Sequence, residues 1–252
     1  MVRWNEMVIL LGDHKQLPPF LRKTEEPIEK LSFFEACISL GVSRRILSIQ
    51  YRMHPEILAF PNTTFYKGEI VCVDGLMEKR VEERRSIVGQ LQWPSDHHLL
   101  IVDCSKGKEK RRESSSYNSV EAKLCAKIAS RLMRSSKLDM AVITFYRAQV
   151  DELKNRLAKQ NLEPSDALQV DTVDAFQGRE ADVVIISMVR AAGQNVGFLS
   201  EPRRINVALT RAKSLLIVLC NVKTIKQDQL LGAWFLNCKE NGVKVVNPED
   251  FK

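Results

Sequence analysis

The sequence VDTVDAFQGREADVVIIS, residues 170–187, places a polar connection between two short apolar runs. Apolar runs of this length predict buried strands. Gly178 in the connection lets the backbone approach a ligand closely, and the glutamine and glutamate beside it can bond a sugar or a phosphate-bound water. An ordinary polar turn between two strands fits the same residues. The stretch therefore predicts two strands and, between them, a candidate binding site.

The rest of the chain repeats this alternation of apolar runs and polar segments. Residues 119–135 and 147–161 carry apolar residues at helical spacing and predict helices. Strands that alternate with helices indicate βαβ units and a doubly wound, largely parallel α/β sheet. Residues 76–95 lack periodicity and predict a long connection, and the basic stretch 105–118 predicts a surface loop. The predicted strands are 7–11, 45–49, 98–104, 140–145, 167–173, 182–189, 214–220 and 243–246.

Composition and charge limit the class of protein. The chain has 252 residues, a formal net charge of +7 and 44% hydrophobic residues. The positive charge permits a polyanionic partner such as nucleic acid, but a basic protein without such a partner is equally compatible. The cluster KGKEKRRE, residues 106–113, fits either a phosphate contact or a solvated run of charge.

Cysteine usage and hydropathy bear on metal binding and on location. The six cysteines form no C-x-x-C pair, and the four histidines add no zinc-ligand spacing. Scattered cysteines in apolar segments indicate a reducing compartment. No apolar run approaches the roughly 20 residues that span a bilayer, and the N-terminus lacks the apolar block of a signal peptide. We expect a cytoplasmic or nuclear protein with no metal site of its own and no membrane partner.

Two further segments combine arginines with the ends of predicted elements. In SIQYRMHPEI (48–57), Tyr51 beside Arg52 suits stacking on a base and contact with phosphate. In EPRRINVALTRAKSLLIVLCN (201–221), Arg211 lies just before a predicted strand, where its planar charged group suits a phosphoryl group. A core tyrosine with a surface arginine, and ordinary helix-surface charge, are the alternative interpretations.

Four segments occur in one order: GDHKQLPP (12–19), QYRMHPEI (50–57), VDAFQGRE (173–180) and NVALTRA (206–212). Together they resemble the C-terminal half of the motor core of superfamily 1B helicases, and most closely the up-frameshift-like group. The resemblance covers nearly the whole chain. It implies an α/β, parallel-sheet, RecA-like second helicase domain over 45–252. It also implies a remnant of the first RecA-like domain over 1–44, with ATP bound between two such domains.

The resemblance implies roles at ATP and at the nucleic acid. Gln16 would sense the γ-phosphate or its attacking water, and Arg52 and Arg211 would act as arginine fingers. Thr144 and Thr172 would contact the backbone of single-stranded RNA or DNA, which positions a motor without reading sequence. Among the nucleotide-binding residues, the tyrosine would stack near the adenine and the glutamate would bond the ribose. The nucleotide-binding residues would be Asp13, Tyr51, Gln177, Gly178 and Glu180.

One motif of the helicase family is missing from this sequence. No G-x-x-x-x-G-K-[ST] occurs, so the P-loop that cradles the β- and γ-phosphates is absent from these residues. Residues 1–7 also lack the Asp-Glu pair that holds magnesium in this family. We therefore expect ATP and Mg²⁺ to be used only together with the missing first domain, an expected partner. The chain alone would not hydrolyse ATP, and the complete enzyme would move 5′ to 3′.

The sequence also supports an alternative function and an expectation about exposed residues. The alternative to a helicase part is a non-catalytic module, derived from a helicase, that binds nucleic acid or another protein. If most of a first domain is absent, the apolar residues near the start lack a partner. We then expect residues 8–11, Phe33 and Phe34 to be exposed or irregularly docked.

Overall fold

The computed structural model describes residues 8–19, 32–89, 91–135, 137–191 and 196–251. The predicted strand at 7–11 and the predicted first-domain remnant at 1–44 therefore fall partly outside the described residues. Within the described ranges, no helix combines the length and the apolarity that a membrane span requires.

The strands form one large sheet and two small ones. In the large sheet every neighbouring pair is parallel, and the order of strands is β10-β3-β9-β8-β6-β7. Its strands are β3 Leu99–Asp103, β6 Met140–Thr144, β7 Leu168–Thr172, β8 Ala181–Ser187, β9 Ala212–Cys220 and β10 Val245–Val246. The small sheets pair β1 Ile49–Gln50 with β2 Val71–Cys72 in parallel, and β4 Lys110–Arg112 with β5 Ser115–Tyr117 in antiparallel. The predicted parallel α/β sheet is confirmed.

Helices cover both faces of the large sheet. The predicted helix at 119–135 is confirmed in full, and the one predicted at 147–161 ends at Ala158. Pro55 starts a helix because its ring fits the first turn, where the His54 side chain accepts a hydrogen bond from the Glu56 backbone. The helices are α1 Phe33–Ser39, α2 Pro55–Tyr66, α3 Leu76–Val88, α4 Ser119–Ser135, α5 Arg147–Ala158, α6 Pro202–Leu209, α7 Val222–Ile225 and α8 Gln229–Glu240.

The core consists of two apolar layers divided by the sheet. Successive residues of a strand point to opposite faces, and strand β8 shows this clearly. Val183 and Ile185 belong to the layer under α4 and α5, whereas Val184 and Ile186 belong to the layer that contains Trp234 of α8. Because both faces are covered, the strands are buried along nearly their whole length and read as continuous apolar runs.

The start of the chain departs from the strand prediction. Residues 8–11 adopt no regular structure, and their side chains are 39 to 85% exposed. A strand needs a neighbour for its backbone groups, and no described residue pairs with this segment. The predicted strand is therefore wrong over 8–11, whereas the expected exposure is confirmed for 8–11 and Phe33, and Phe34 is half-buried.

Two segments predicted as connections contain regular structure. Within 76–95, residues 76–88 form helix α3, and within 105–118 the strands β4 and β5 form a hairpin. The helix lacks a clear apolar period because Arg80 and Arg84 occupy buried positions. In the predicted strand 45–49, only Ile49 is paired.

Candidate functional site

The loop 12–19 is held against the sheet domain by the carboxylate of Asp13. This carboxylate accepts hydrogen bonds from the Lys15 backbone at 2.9 Å and from the Gln16 side-chain amide at 2.8 Å. It also accepts the hydroxyl of Tyr66, at the end of α2, at 2.7 Å. Burial, and then the hydrogen bond to Asp13, raise the pKa of the Tyr66 hydroxyl well above its usual value. Tyr66 therefore remains a donor at neutral pH.

Two amide side chains complete this docking. Nδ2 of Asn206, on α6, donates to the Lys15 carbonyl at 2.9 Å and to the Tyr66 oxygen at 2.8 Å. Nε2 of Gln177 donates to the carbonyl of Leu17 at 2.9 Å. The side chain of Leu17 packs against the apolar core. The loop near the start of the chain and the segments near residues 177 and 206 thus form one wall of a cleft.

Arg211 lies directly behind this loop and is only 1% exposed. Its guanidinium donates to the carbonyls of Val207 at 3.0 Å and Arg179 at 3.2 Å. Its Nη2 also donates to Oε1 of Gln16 at 3.3 Å, across 195 positions of sequence. No carboxylate of the described residues forms an ion pair with it. Burial, followed by the charge of Arg52, lowers the pKa of Arg211 to about 10, so the group still carries its charge at neutral pH.

Arg52 is paired with a residue predicted to bond the ribose. Its Nε donates to a carboxylate oxygen of Glu180, and its Nη1 donates to the carbonyl of Thr210 at 3.2 Å. Glu180 also lies 3.9 Å from the ammonium of Lys213, which pairs with Asp182 at 3.1 Å. The predicted arginine finger and the predicted ribose ligand thus neutralise each other in this structure.

Tyr51 and Gly178, which are also predicted to bind the nucleotide, lie at the surface of the same region. The side chain of Tyr51 is 66% exposed, and its carbonyl accepts a hydrogen bond from Arg80 at 3.0 Å. Gly178 has a φ of 82°, which favours glycine, and no atom lies within 4 Å of the position that a Cβ would take. The turn that follows the stretch 170–176 therefore depends on a glycine.

The two threonines predicted to contact nucleic acid differ in exposure. Thr172, at the carboxyl end of β7, is half-buried, and its hydroxyl accepts from the Ala175 backbone at 3.3 Å. It lines the cleft formed with the loop 12–19. Thr144 is fully buried, and its hydroxyl donates to the Ser187 carbonyl at 2.9 Å. In this structure Thr144 has no surface that a nucleic acid could touch.

A buried polar network lies beneath the carboxyl edge of the sheet. The carboxylate of Glu121, which is fully buried, accepts from the Ser187 hydroxyl at 2.6 Å and from the Val189 backbone at 2.8 Å. Asn118 donates to the other carboxylate oxygen at 3.2 Å, and Gln149 donates to the Ser187 hydroxyl at 2.8 Å. The network fixes Val189, whose φ of 70° is unusual for a β-branched residue.

Three residues of the site were missed in the sequence. Asn206 belongs to the NVALTRA segment and could have been proposed from that position, but its two contacts lie far away in sequence. Tyr66 ends an ordinary amphipathic helix and carries no local signal. Lys213 resembles helix-surface charge in the sequence, yet it faces Glu180 and Asp182.

The fold and the site together define a class of protein. A family model described as AAA domain, AAA_12, matches residues 30–223, and the chain belongs to this family. Its parallel sheet, with the loop 12–19 and two arginines at one edge, is that of a RecA-like helicase domain.

Relatives place the chain in a narrower group. It is 36% identical over 250 residues to "Regulator of nonsense transcripts 1" of Dictyostelium discoideum, covering 95% of this chain and 18% of that protein. It is 37% identical over 250 residues to "ATP-dependent helicase upf1" of Schizosaccharomyces pombe, covering 95% and 26%. It is 34% identical over 249 residues to "5'-3' DNA helicase ZGRF1" of Mus musculus, covering 95% and 13%. The resemblance to up-frameshift-like superfamily 1 helicases is confirmed, and the chain spans about a quarter or less of the length of these relatives.

Proposed function

We propose that residues 45–252 form the second RecA-like domain of an ATP-dependent helicase, and that residues 1–44 belong to the domain before it. The observation that best supports this proposal is that three residues predicted to be catalytic lie close together. Oε1 of Gln16 lies 3.3 Å from Nη2 of Arg211, and Arg52 donates to the carbonyl of Thr210, the residue before Arg211, at 3.2 Å. A γ-phosphate sensor and two arginine fingers have to lie together, because all three act on one phosphoryl group.

Arg211 has the electrostatic character of an anion-binding group. A buried cation without a carboxylate partner is unfavourable, because burial removes its hydration. An anion that arrives at the edge shared by Gln16 and Arg211 relieves this cost. The γ-phosphate of ATP is such an anion, and a guanidinium already fixed by the carbonyls of Val207 and Arg179 stabilises the charge that develops in phosphoryl transfer.

The ion pair of Arg52 with Glu180 supports a switch on nucleotide binding. In this proposal the ribose takes the carboxylate of Glu180, and Arg52 turns from that carboxylate to the phosphates. The exposed ring of Tyr51 stacks on the adenine. Lys213 remains beside Glu180 and Asp182, so the carboxylates stay partly neutralised in both states.

A first domain with a P-loop has to complete the ATP site. Among the residues that the structure describes, no group of three or more His, Cys, Asp or Glu could hold a metal ion. In this proposal Mg²⁺ comes to the site with the phosphates of ATP and with ligands from that first domain. We therefore expect no ATP hydrolysis by a polypeptide of these 252 residues alone.

Single-stranded RNA or DNA is the proposed second substrate. Thr172, at the carboxyl end of β7, lines an open cleft together with the loop 12–19, Gln177 and Gly178, so the nucleic acid would run directly beside the ATP site. Closing and opening of the two domains with each ATP would move the strand along this cleft. The resemblance to superfamily 1B and the name of the mouse relative, a 5′-3′ DNA helicase, support a 5′-to-3′ direction. The full protein in which these residues act would be a cytoplasmic or nuclear helicase.

A non-catalytic module that binds nucleic acid or protein is the second candidate. The net charge of +7 and the lack of a P-loop in these residues favour it. The two candidates differ in what the arginines do. In the helicase they act on ATP, whereas in the module they are structural.

ATP hydrolysis tests the proposal in two proteins. The 252-residue chain alone should show no turnover; robust turnover, abolished by Arg211→Ala, would contradict the need for a first domain. In a protein that joins these residues to a P-loop-bearing first domain, Arg211→Ala should lower kcat by about 10³-fold, as expected of an arginine finger. Arg85→Ala, an exposed arginine of α3, is the matched control and should leave kcat unchanged. Equal rates for the two variants would favour the non-catalytic module.

A further inference from the structure

The hairpin formed by residues 106–117, here the basic hairpin, presents a cluster of positive charge. It contains five basic residues and two acidic ones. Lys108, Lys110 and Arg111 are exposed. The strands pair in register, with Lys110 opposite Tyr117 and Arg111 opposite Ser116. The charges therefore stand on an ordered ribbon rather than on an irregular loop.

One of the two acids is turned inward and does not reduce this surface charge. Glu109 accepts the Ser116 hydroxyl at 2.7 Å and pairs with Arg190 at 2.9 Å. Its carboxylate is mostly covered, with 15% of its side chain exposed. The outer face of the hairpin consequently keeps a surplus of cations.

The hairpin is anchored firmly to the domain. A Cβ on Gly107 would lie 2.9 Å from the side chain of Asn118, so only glycine allows this close approach to the buried network. The hydroxyl of Ser115 accepts the Ala148 backbone at the start of α5 at 3.1 Å. Arg112 lies over the ring of Tyr117, 4.9 Å from its centroid. Binding of a ligand here would therefore cost little conformational entropy, because the hairpin is already ordered.

The basic hairpin borders a groove that lies next to the proposed nucleic-acid cleft. The groove has a volume of about 800 Å³ and is lined by Arg111 of the hairpin, by Arg190, which follows β8, and by Arg204 of α6. Arg204 and Glu201 line both this groove and the cleft that contains Thr172. The two depressions are therefore neighbours along one edge of the sheet.

We infer that the basic hairpin binds backbone phosphates of single-stranded RNA or DNA outside the cleft. The nucleic acid would then run from Thr172 past Arg204 to Lys110 and Arg111. This inference rests on the proposed function, since it assumes that the cleft holds a nucleic acid. Exposed lysine and arginine on an ordered ribbon suit phosphates, whose charge repeats along the strand. Thr172 and the basic hairpin would be two parts of one binding surface.

Binding of the 252-residue chain to fluorescent oligothymidylate, measured by anisotropy over a range of salt concentrations, tests the inference. The variant Lys110→Gln/Arg111→Gln removes two charges at the hairpin. Its matched control, Lys239→Gln/Lys244→Gln, removes two exposed charges near the amino ends of the strands, on the opposite edge. Lys108→Gln is a second hairpin variant, and thermal unfolding of each protein verifies that it is folded.

The hairpin variant should bind roughly 5- to 20-fold more weakly at low salt, and its slope of log K against log [salt] should fall by up to about 1.4, at roughly 0.7 for each lost phosphate contact. The loss should be confined to longer oligonucleotides, because a short one occupies the cleft alone. The control should match the wild type.

If the wild type binds and the hairpin variant and the control show equal slopes, only this inference is overturned, and the proposed function is not. No binding by the wild type even at low salt would overturn the nucleic-acid part of the proposed function as well. Competition by polyglutamate as effective as that by oligothymidylate would assign the hairpin to an acidic protein instead and overturn the inference.

Discussion

Glu121→Gln should flatten the dependence of stability on pH between about 5 and 7.5. Burial is the largest cause that raises the pKa of Glu121 from 4.5 to about 7, against the opposing effect of the hydrogen bonds from Ser187 and Val189. The glutamine keeps an oxygen that can accept from Ser187 and Val189, so the network is largely preserved while the titrating proton is removed.

The sign and size of the effect follow from the raised pKa. Between 4.5 and about 7 the folded protein binds a proton at Glu121 that the unfolded chain does not. The stabilisation is therefore fully present below about pH 4.5 and is lost as the pH rises through about 7. A rise of this size corresponds to about 3 kcal/mol, since each pKa unit is worth about 1.4 kcal/mol. For a chain of this length that is roughly 6 to 12 °C in melting temperature.

Urea unfolding at a series of pH values measures the effect as the difference between the two proteins. His54 and His98, whose pKa values burial lowers to about 3 and about 4, titrate in both proteins and cancel in the difference. Glu78→Gln, at an exposed position of α3, is the control and should follow the wild type. The reasoning is refuted if Glu121→Gln, folded as judged by circular dichroism, loses as much stability as the wild type between pH 5 and 7.5.

Two other substitutions examine the loop and the turn of the site. Tyr66→Phe removes the hydroxyl that joins Asp13 to Asn206; we expect a loss of about 1 to 2 kcal/mol in docking of the loop 12–19 and amide hydrogen exchange there roughly 5- to 30-fold faster. Unchanged exchange would show that the hydroxyl does not hold the loop. Gly178→Ala should cost about 1 to 2 kcal/mol, because alanine disfavours the φ of 82° although the space for its methyl group is open. Differential scanning calorimetry should show a lower melting temperature, and an equal or higher one would speak against this account.

Much of the sheet could be predicted because its strands are buried on both faces. Strands β3, β6, β7, β8 and β9 each appear in the sequence as one apolar run, and their bounds differ from the predicted ones by at most two residues. Helix α3 was hidden because two of its buried positions are arginines. Arg80 donates to the Tyr51 carbonyl, and Arg84 donates to the carbonyls of Ser95 and His97. In a sequence, an arginine that binds buried carbonyls cannot be distinguished from one that is solvated.

The contacts among the candidate site residues could not be predicted from the sequence. The segments around Gln16, Arg52 and Arg211 could be recognised by their order along the chain. That Tyr66 and Asn206 hold the loop depends on the packing of α2 beside α6, which no local pattern encodes. The burial of Thr144 likewise follows from its place at the end of β6, an inner strand between β7 and β8.

The order of strands has a consequence for synthesis of the chain. Strand β3 lies between β9 and β10, so both of its neighbours are made last, the nearer beginning about 110 residues later. At roughly 5 to 20 residues per second, the apolar run Leu99–Val102 leaves the ribosome several seconds before any strand can pair with it. Strands β7 and β8, in contrast, both pair with β6, and all three lie within a short stretch of sequence. During translation, half of the sheet can therefore form while the apolar strand β3 is still unpaired. In this period chaperones can bind the exposed β3 segment.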